Sequence, residues 1–156
     1  MTRVLSLAGV LALGGCDFFG LVGEPPLALA DGTTMEVGDW HGRWLLINYW
    51  AEWCAPCRKE IPELNRLQTE VGEDRLLVIG VNFDGLTGER LTELIEKMDV
   101  RFPVLLEDPR ARWDVEQPTV LPSTLVIAPN GRLKEVLVGP HTFESFSRAL
   151  RLTAST

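Results

Sequence analysis

The chain has few cysteines and almost no histidine, and both shortages narrow its chemistry. Its 156 residues contain three cysteines, Cys16, Cys54 and Cys57, and two histidines, His41 and His141. A disulfide framework that holds a small domain together needs more pairs, and a C-x-x-C spacing closes too short a loop to stabilise much. A zinc or copper site on the cysteine pair would need further ligands, for which only the two histidines are available. The sequence therefore argues against a metal centre, and no cofactor is expected.

Positive charge is also in short supply. There are 15 lysine and arginine residues against 22 aspartate and glutamate residues, which gives a formal net charge of −7. This balance argues against nucleic acid as a main partner. The sequence contains no internal repeat and no low-complexity segment. Its hydrophobic content of 46% is sufficient for the core of one ordinary domain. We expect the protein to be a monomer.

Against this background, the most informative segment is Trp53–Cys57, a C-x-x-C dithiol. It directly follows an apolar run at 44–51 and precedes a helical pattern, so Cys54 is predicted to lie at a helix N-terminus. The positive end of the helix dipole favours a thiolate, and it lowers the pKa of a thiol from about 8.5 into the range of about 3.5–7.5. The segment therefore predicts thiol–disulfide exchange.

The N-terminus has the pattern of a secretory signal. A single arginine in residues 1–3 precedes a short apolar stretch at 4–13, and the small residues Gly14 and Gly15 stand before Cys16. The apolar stretch is short for a membrane span, which needs about 20 residues. An uncleaved membrane helix over 4–22 remains the alternative, and both interpretations place the domain outside the cytoplasm.

The segment Leu13–Cys16 resembles the bacterial lipoprotein signal. The resemblance implies that residues 1–15 are removed and that Cys16 carries the lipid, so that it is not a redox thiol. Two or more acyl chains give a stable anchor where one does not. Asp17 resembles the residue that retains some lipoproteins at the inner membrane, which implies a location on the periplasmic side of that membrane, with the outer membrane as the alternative. Residues 16–26 then form a tether.

The remaining chain, 27–156, is predicted to form one α/β domain with a mixed central sheet flanked by helices. An N-terminal hairpin is predicted with its turn at Asp31-Gly32. Predicted strands lie at 27–30, 34–37, 44–51, 76–83, 102–106, 123–128 and 133–138. Predicted helices lie at 55–71 and 88–98, with a helical turn at 109–115 and a last helix that begins after Thr142.

Two separated segments carry a resemblance to a known family. The segment 48–58 looks like the active-site stretch of the thioredoxin fold, and 121–127 looks like its cis-proline strand. With the N-terminal hairpin and the segment 58–64, the chain resembles the TlpA/ResA-like branch of that fold over roughly 27–152. The resemblance implies a membrane-tethered extracytoplasmic thiol–disulfide oxidoreductase. Members of the branch often reduce protein disulfides, some of them in cytochrome c maturation.

The resemblance also implies roles for the dithiol segment. Cys54 would attack the partner disulfide and Cys57 would resolve the mixed disulfide. Trp53 would shield the site and offer an apolar contact surface. Ala55 and Pro56 would tune the reduction potential from between the cysteines.

Residues distant in sequence complete the expected site. Pro122 would be cis and stack against the dithiol, while the backbone of Leu121 would pair with an extended substrate segment. Cytoplasmic thioredoxins carry a buried aspartate where this chain has Asn48, so that proton acceptor is missing. Asp84 and Glu60 are the two candidates to transfer protons in its place.

Several alternatives remain open at this point. The expected partners are a disulfide-containing envelope protein and an upstream membrane electron donor. A disulfide-inserting oxidant would use the same motif, because direction depends on potential. A thiol peroxidase usually needs a threonine upstream of its cysteine, which is absent here, and a copper-binding chaperone would need tight metal binding.

Overall fold

The computed structural model describes residues 24–152. The predicted signal, Cys16 and Asp17 lie outside these residues, as does the alternative membrane helix. Within residues 24–152, no helix is long and apolar enough to cross a membrane.

The described chain contains seven strands, three helices and two 3₁₀ turns. The strands are β1 (Leu27–Ala28), β2 (Thr34–Met35), β3 (Trp44–Trp50), β4 (Leu76–Asn82), β5 (Val104–Leu105), β6 (Ser123–Ile127) and β7 (Leu133–Val138). The helices are α1 (Ala55–Val71), α2 (Gly88–Lys97) and α3 (Phe143–Ala149), and the 3₁₀ turns are Val37–Trp40 and Pro109–Trp113. The predicted order of strands and helices is confirmed, but β1 and β2 each end two residues earlier than predicted, and the 3₁₀ turn Val37–Trp40 was not predicted.

The central sheet has the order β5-β4-β3-β6-β7, so the strand that leads into the dithiol is central. β3 pairs in parallel with β4 and antiparallel with β6, which makes the sheet mixed as predicted. The carboxyl ends of β3, β4 and β5 therefore meet the amino end of β6 at one edge. This arrangement brings the segments after Trp50 and Asn82 close to the one before Ser123.

Helices α1, α2 and α3 bury their apolar faces on one side of the sheet, in a cluster that includes Leu46, Ile61, Leu64, Leu91 and Phe146. Both cysteines belong to this cluster. The other side is covered by the N-terminal hairpin and the 3₁₀ turns, where Trp40 stacks on Trp113 with ring centroids 6.0 Å apart. The dithiol is therefore built on the principal core of the domain.

The fifth strand is shorter than the sequence pattern predicts. Pro103 lacks an N–H, so it cannot donate to the ladder, although its carbonyl accepts from Gly80 at 2.8 Å. The segment instead pairs with the N-terminal hairpin. The backbone N–H of Ala30 donates to the carbonyl of Val104 at 2.8 Å, and the N–H of Leu106 donates to the carbonyl of Ala28 at 3.0 Å. The hairpin therefore covers the edge of the sheet that β5 would otherwise expose.

Candidate active site

Cys54 lies at the turn between the central strand and α1, where it is the N-cap residue of that helix. Its sulfur accepts a hydrogen bond from the backbone N–H of Cys57 at 3.2 Å. The two cysteines form a disulfide with their Cα atoms 5.3 Å apart. Pro56 occupies the first turn of the helix, where its missing N–H costs no intrahelical hydrogen bond.

Both cysteines are buried in this oxidised state, with 3% of Cys54 and 1% of Cys57 exposed. Ala55 and Pro56 between them are exposed. Burial of the whole residue thus hardly distinguishes the two sulfurs, and the prediction that Cys54 attacks first depends on its position at the helix end.

Trp53 is the most exposed large apolar side chain beside the dithiol, at 62%. Its indole N–H donates to both oxygens of Asp84, at 3.1 Å and 3.2 Å. Its ring meets that of Phe83 edge to face, with centroids 6.2 Å apart. The segment after β4 therefore holds Trp53 in one orientation while leaving it open to a partner.

The peptide bond between Leu121 and Pro122 is cis, as predicted. The last register pair of β3 and β6 joins Tyr49 to Ser123, so Pro122 lies just past it, at the edge that carries the dithiol. Pro122 is buried, and Leu121 is half-buried against the core that contains both cysteines. Val120 is 51% exposed and extends the apolar surface.

Glu60 lies one helical turn after Cys57 and is 1% exposed. One of its carboxylate oxygens accepts from the side-chain amide of Asn48 at 2.7 Å, and the other accepts from the backbone N–H of His141 at 2.6 Å. The Asn48 amide also donates to the hydroxyl of Thr124 at 2.9 Å. A buried acid is thus held between helix, sheet and loop.

Burial raises the pKa of Glu60 from 4.5 to about 7, because removal from water disfavours the charged carboxylate. The two hydrogen bonds oppose this rise, since both donors stabilise the ionised form. A carboxyl that titrates near neutrality exchanges protons readily under physiological conditions. It is therefore suited to accept a proton from a thiol and to return it.

Comparison with known proteins now identifies the lineage of this fold and site. The sequence pattern of the AhpC/TSA family matches residues 24–136. The chain belongs to the AhpC/TSA family.

Relatives of this AhpC/TSA protein carry names that match the chemistry of the site. It is 31% identical over 114 residues to thiol-disulfide oxidoreductase ResA of Oceanobacillus iheyensis. The match covers 73% of this chain and 59% of that protein. A putative thiol:disulfide interchange protein DsbE from Chlorobium tepidum has a TM-score of 0.64 at 23% identity, over 82% of this chain and 89% of the other. The pneumococcal exposed lipoprotein thioredoxin Etrx1 from Streptococcus pneumoniae also has a TM-score of 0.64 at 23% identity. That match covers 81% of this chain and 97% of the other.

These matches confirm the predicted thioredoxin-like fold and the resemblance to the ResA-like branch. They also confirm the predicted class of enzyme, a thiol–disulfide oxidoreductase with a Cys-x-x-Cys pair, Cys54 and Cys57. In the described part of this AhpC/TSA protein, no three or more histidine, cysteine, aspartate or glutamate side chains are grouped to hold a metal ion.

The structure separates the two predicted proton-transfer candidates of this AhpC/TSA protein. Glu60 is buried in the core behind the dithiol, whereas Asp84 is exposed and bonded to Trp53. In the sequence, His141 stands out only as a possible metal ligand, and sequence reasoning missed both Thr124 and the bond from the backbone N–H of His141 to Glu60. The sequence did contain a signal for a buried acid: Glu60 interrupts the apolar stripe of α1, one turn from Cys57 and one turn from Leu64.

Proposed function

We propose that this protein reduces protein disulfides outside the cytoplasm by exchange at its Cys54–Cys57 pair. The observation that carries the proposal is the position of Cys54 as the N-cap of α1, at the sheet edge where the cis Leu121–Pro122 bond lies. The helix dipole favours a thiolate at Cys54. The exposed Trp53 and the backbone before Pro122 provide the contact surface for an extended partner segment.

The reaction transfers two electrons and two protons in two exchanges. The Cys54 thiolate attacks one sulfur of the partner disulfide, forms a new S–S bond and displaces the other partner sulfur as a thiolate, which takes up a proton. Cys57 then loses its proton and attacks the Cys54 sulfur, so that the mixed disulfide breaks and the second partner thiolate leaves. The partner gains two thiols, and the Cys54–Cys57 disulfide is then reduced by an upstream donor with two thiols of its own.

Glu60 is the group that we assign to the proton of Cys57. It lies one turn further along the same buried face of α1, and its pKa of about 7 allows it to accept a proton near neutral pH. Asp84 is the second candidate, and its carboxylate is engaged with the Trp53 indole at the surface. We therefore assign Asp84 to holding the contact surface and Glu60 to the proton.

The partner and the location follow as expectations from the same proposal. We propose that Cys16 anchors the protein by lipid to the periplasmic side of the inner membrane, and that residues 16–26 tether the domain. Among the structural neighbours, Etrx1 bears the name of an exposed lipoprotein thioredoxin, which supports the lipid anchor. Labelled fatty acid should be incorporated into the natural chain and not into Cys16→Ser. A natural chain that stays in the membrane fraction without incorporating the label would favour an uncleaved helix.

A trapped intermediate tests the order of attack and identifies the partner. Cys57→Ser should accumulate a mixed disulfide between Cys54 and the partner in cells, because the resolving thiol is gone. The matched control is the Cys54→Ser, Cys57→Ser double variant, which should trap nothing. An apocytochrome c in the trapped complex would assign the protein to cytochrome c maturation, and another envelope protein would assign it to general disulfide reduction. Accumulation on Cys57 in Cys54→Ser, but not on Cys54, would overturn the order.

A further inference from the structure

The carboxylate of Glu60 and the amide of Asn48 form a buried pair that joins α1 to the central strand. Their atoms lie 2.7 Å apart, and each residue is 1% exposed. The Asn48 amide makes its other hydrogen bond to a neutral group, the hydroxyl of Thr124, at 2.9 Å. The acid and the amide thus face each other directly, with the acid on the helix and the amide on the strand.

We propose that Asn48 is a positioning residue for Glu60, and that this pocket needs one carboxylic acid, which either position 48 or position 60 can supply. The inference rests on the proposed function, in which Glu60 accepts the proton of Cys57. Asn48 fixes the carboxylate beside the helical turn that carries Cys57, and it adds no second acid to compete for the proton.

The hydrogen bonds of the pocket allow the acid and the amide to be exchanged. In a double variant that combines Asn48→Asp with Glu60→Gln, the new amide on the helix donates to the new carboxylate on the strand. The carbonyl oxygen of that amide accepts from the backbone N–H of His141, and the hydroxyl of Thr124 donates to the same carboxylate oxygen, the one that takes the place of the Asn48 amide nitrogen. Each of the three hydrogen bonds of the natural pocket keeps a donor and an acceptor, and both replacements keep the size of the side chain, so the exchange moves the acid from α1 to β3 with little change of volume.

The single replacements change the number of acids. Glu60→Gln leaves none, whereas Asn48→Asp places two carboxyl groups at hydrogen-bond distance, where they must share a proton. The four chains therefore form a closed cycle with one, none, two and one acid in the same pocket.

The other titratable groups near Glu60 in the described chain are few. Strands β3 and β6 face the pocket with the neutral Asn48 and Thr124. The loop before α3 contributes His141, whose ring is 3.2 Å from the hydroxyl of Ser145. On α1 itself, Cys57 precedes Glu60 by one turn, and Glu63 follows it by one turn and accepts from the backbone N–H of Phe143 at 2.8 Å. Glu63 is thus a second carboxylate that binds the segment around the start of α3, apart from the pair of Glu60 and Asn48.

The test follows the reaction of each reduced chain with a chromogenic aromatic disulfide by stopped flow. The first coloured thiolate is released when Cys54 attacks, and the second when Cys57 resolves the mixed disulfide. The rate of the second release is measured against pH for the natural chain, Asn48→Asp, Glu60→Gln and the exchanged double variant. Glu63→Gln is the control for loss of a carboxylate contact to the loop, and it should leave the rate and its pH midpoint unchanged.

We expect Glu60→Gln to slow the second release by about 100-fold, the lower range for loss of an acid–base group. The second release in the exchanged double variant should be at least about tenfold faster than in Glu60→Gln, because the double variant restores one acid to the pocket. Asn48→Asp alone should shift the pH midpoint of the second release upward, because two acids compete for one proton. A folded double variant no faster than Glu60→Gln, or an unmoved midpoint in Asn48→Asp, would overturn the inference. Absence of the second release in the natural chain would instead refute the proposed function.

Discussion

The indole N–H of Trp53 points at the carboxylate of Asp84, with its nitrogen 3.1 Å and 3.2 Å from the two oxygens. Both residues are exposed, and they come from different elements, the turn before α1 and the segment after β4. The contact fixes an aromatic ring that a partner protein can use, because ordering the ring before binding lowers the entropy lost on association. A carboxylate near the dithiol thus serves recognition, whereas the buried Glu60 is placed for chemistry.

Replacement of Asp84 separates these two roles. Asp84→Ala removes the acceptor for the indole and should raise KM for a protein disulfide about 3- to 10-fold, the equivalent of the net contribution of one ordinary hydrogen bond at an exposed site. Asp84→Asn keeps an acceptor oxygen and should stay closer to the natural value. Both variants should keep the natural pH profile of kcat. A pH midpoint shifted by Asp84→Asn would show that Asp84 transfers protons.

The pKa of Glu60 makes stability depend on pH in a defined direction. Between pH 4.5 and about 7 the folded chain keeps the Glu60 proton that the unfolded chain has lost, so stability falls as pH rises through this window. A carboxyl shifted this far accounts for up to about 3 kcal/mol. Urea unfolding at pH 4.5 and at pH 8 should show this fall in the natural chain and a smaller one in Glu60→Gln. Glu63→Gln is the control and should keep the full fall.

The elements of the fold were predictable because their sequence signals are local. Helix α1 follows from an apolar stripe that includes Ile61, Leu64 and Leu67, and its bounds at 55–71 match the prediction. Thr142 was predictable as the N-cap of α3, where it forms a capping box with Ser145. Strand β5 was overestimated because its neighbours in the sheet, rather than its apolar pattern, decide which of its backbone groups can pair.

The site was predictable where a motif carries it and unpredictable where the chain folds back on itself. The dithiol and the cis bond before Pro122 follow from short motifs. The contact of Glu60 with the backbone of His141 joins residues 81 positions apart, and no side-chain pattern encodes a backbone donor. The strength of the Glu60 carboxylate as a proton acceptor depends on its burial, which only the assembled core provides.

Gly80 is required by close packing of the neighbouring strand. It lies opposite Asn48 in the register of β3 and β4, and a Cβ atom added there would come 2.8 Å from the indole nitrogen of Trp50 and 3.0 Å from Phe102. Trp50 is fully buried, so the ring has no free volume into which to move.

Gly80→Ala should therefore lower the free energy of unfolding by about 1–3 kcal/mol, the usual cost of overpacking. The measurement is the urea midpoint, with an unchanged slope. Gly38→Ala is the matched control, because nothing lies within 4 Å of its added Cβ, and it should stay within about 0.5 kcal/mol of the natural chain. Equal effects of the two substitutions would show that the cost is not the contact with Trp50.

The direction of electron flow depends on the reduction potential of the Cys54–Cys57 couple, and the two residues between the cysteines give a reason to expect a reducing value. Ala55 and Pro56 stand between the cysteines and carry no charge or side-chain donor that would stabilise a thiolate. A less stabilised thiolate makes the disulfide harder to reduce, which lowers the potential. Equilibration with glutathione should therefore give a value closer to about −270 mV than to about −120 mV. Ala55→His introduces a hydrogen-bond donor, which carries a positive charge when protonated, next to Cys54 in the chain, and should raise the potential. A natural chain near about −120 mV would be an oxidant that inserts disulfides, and the proposed reductase function would then be wrong.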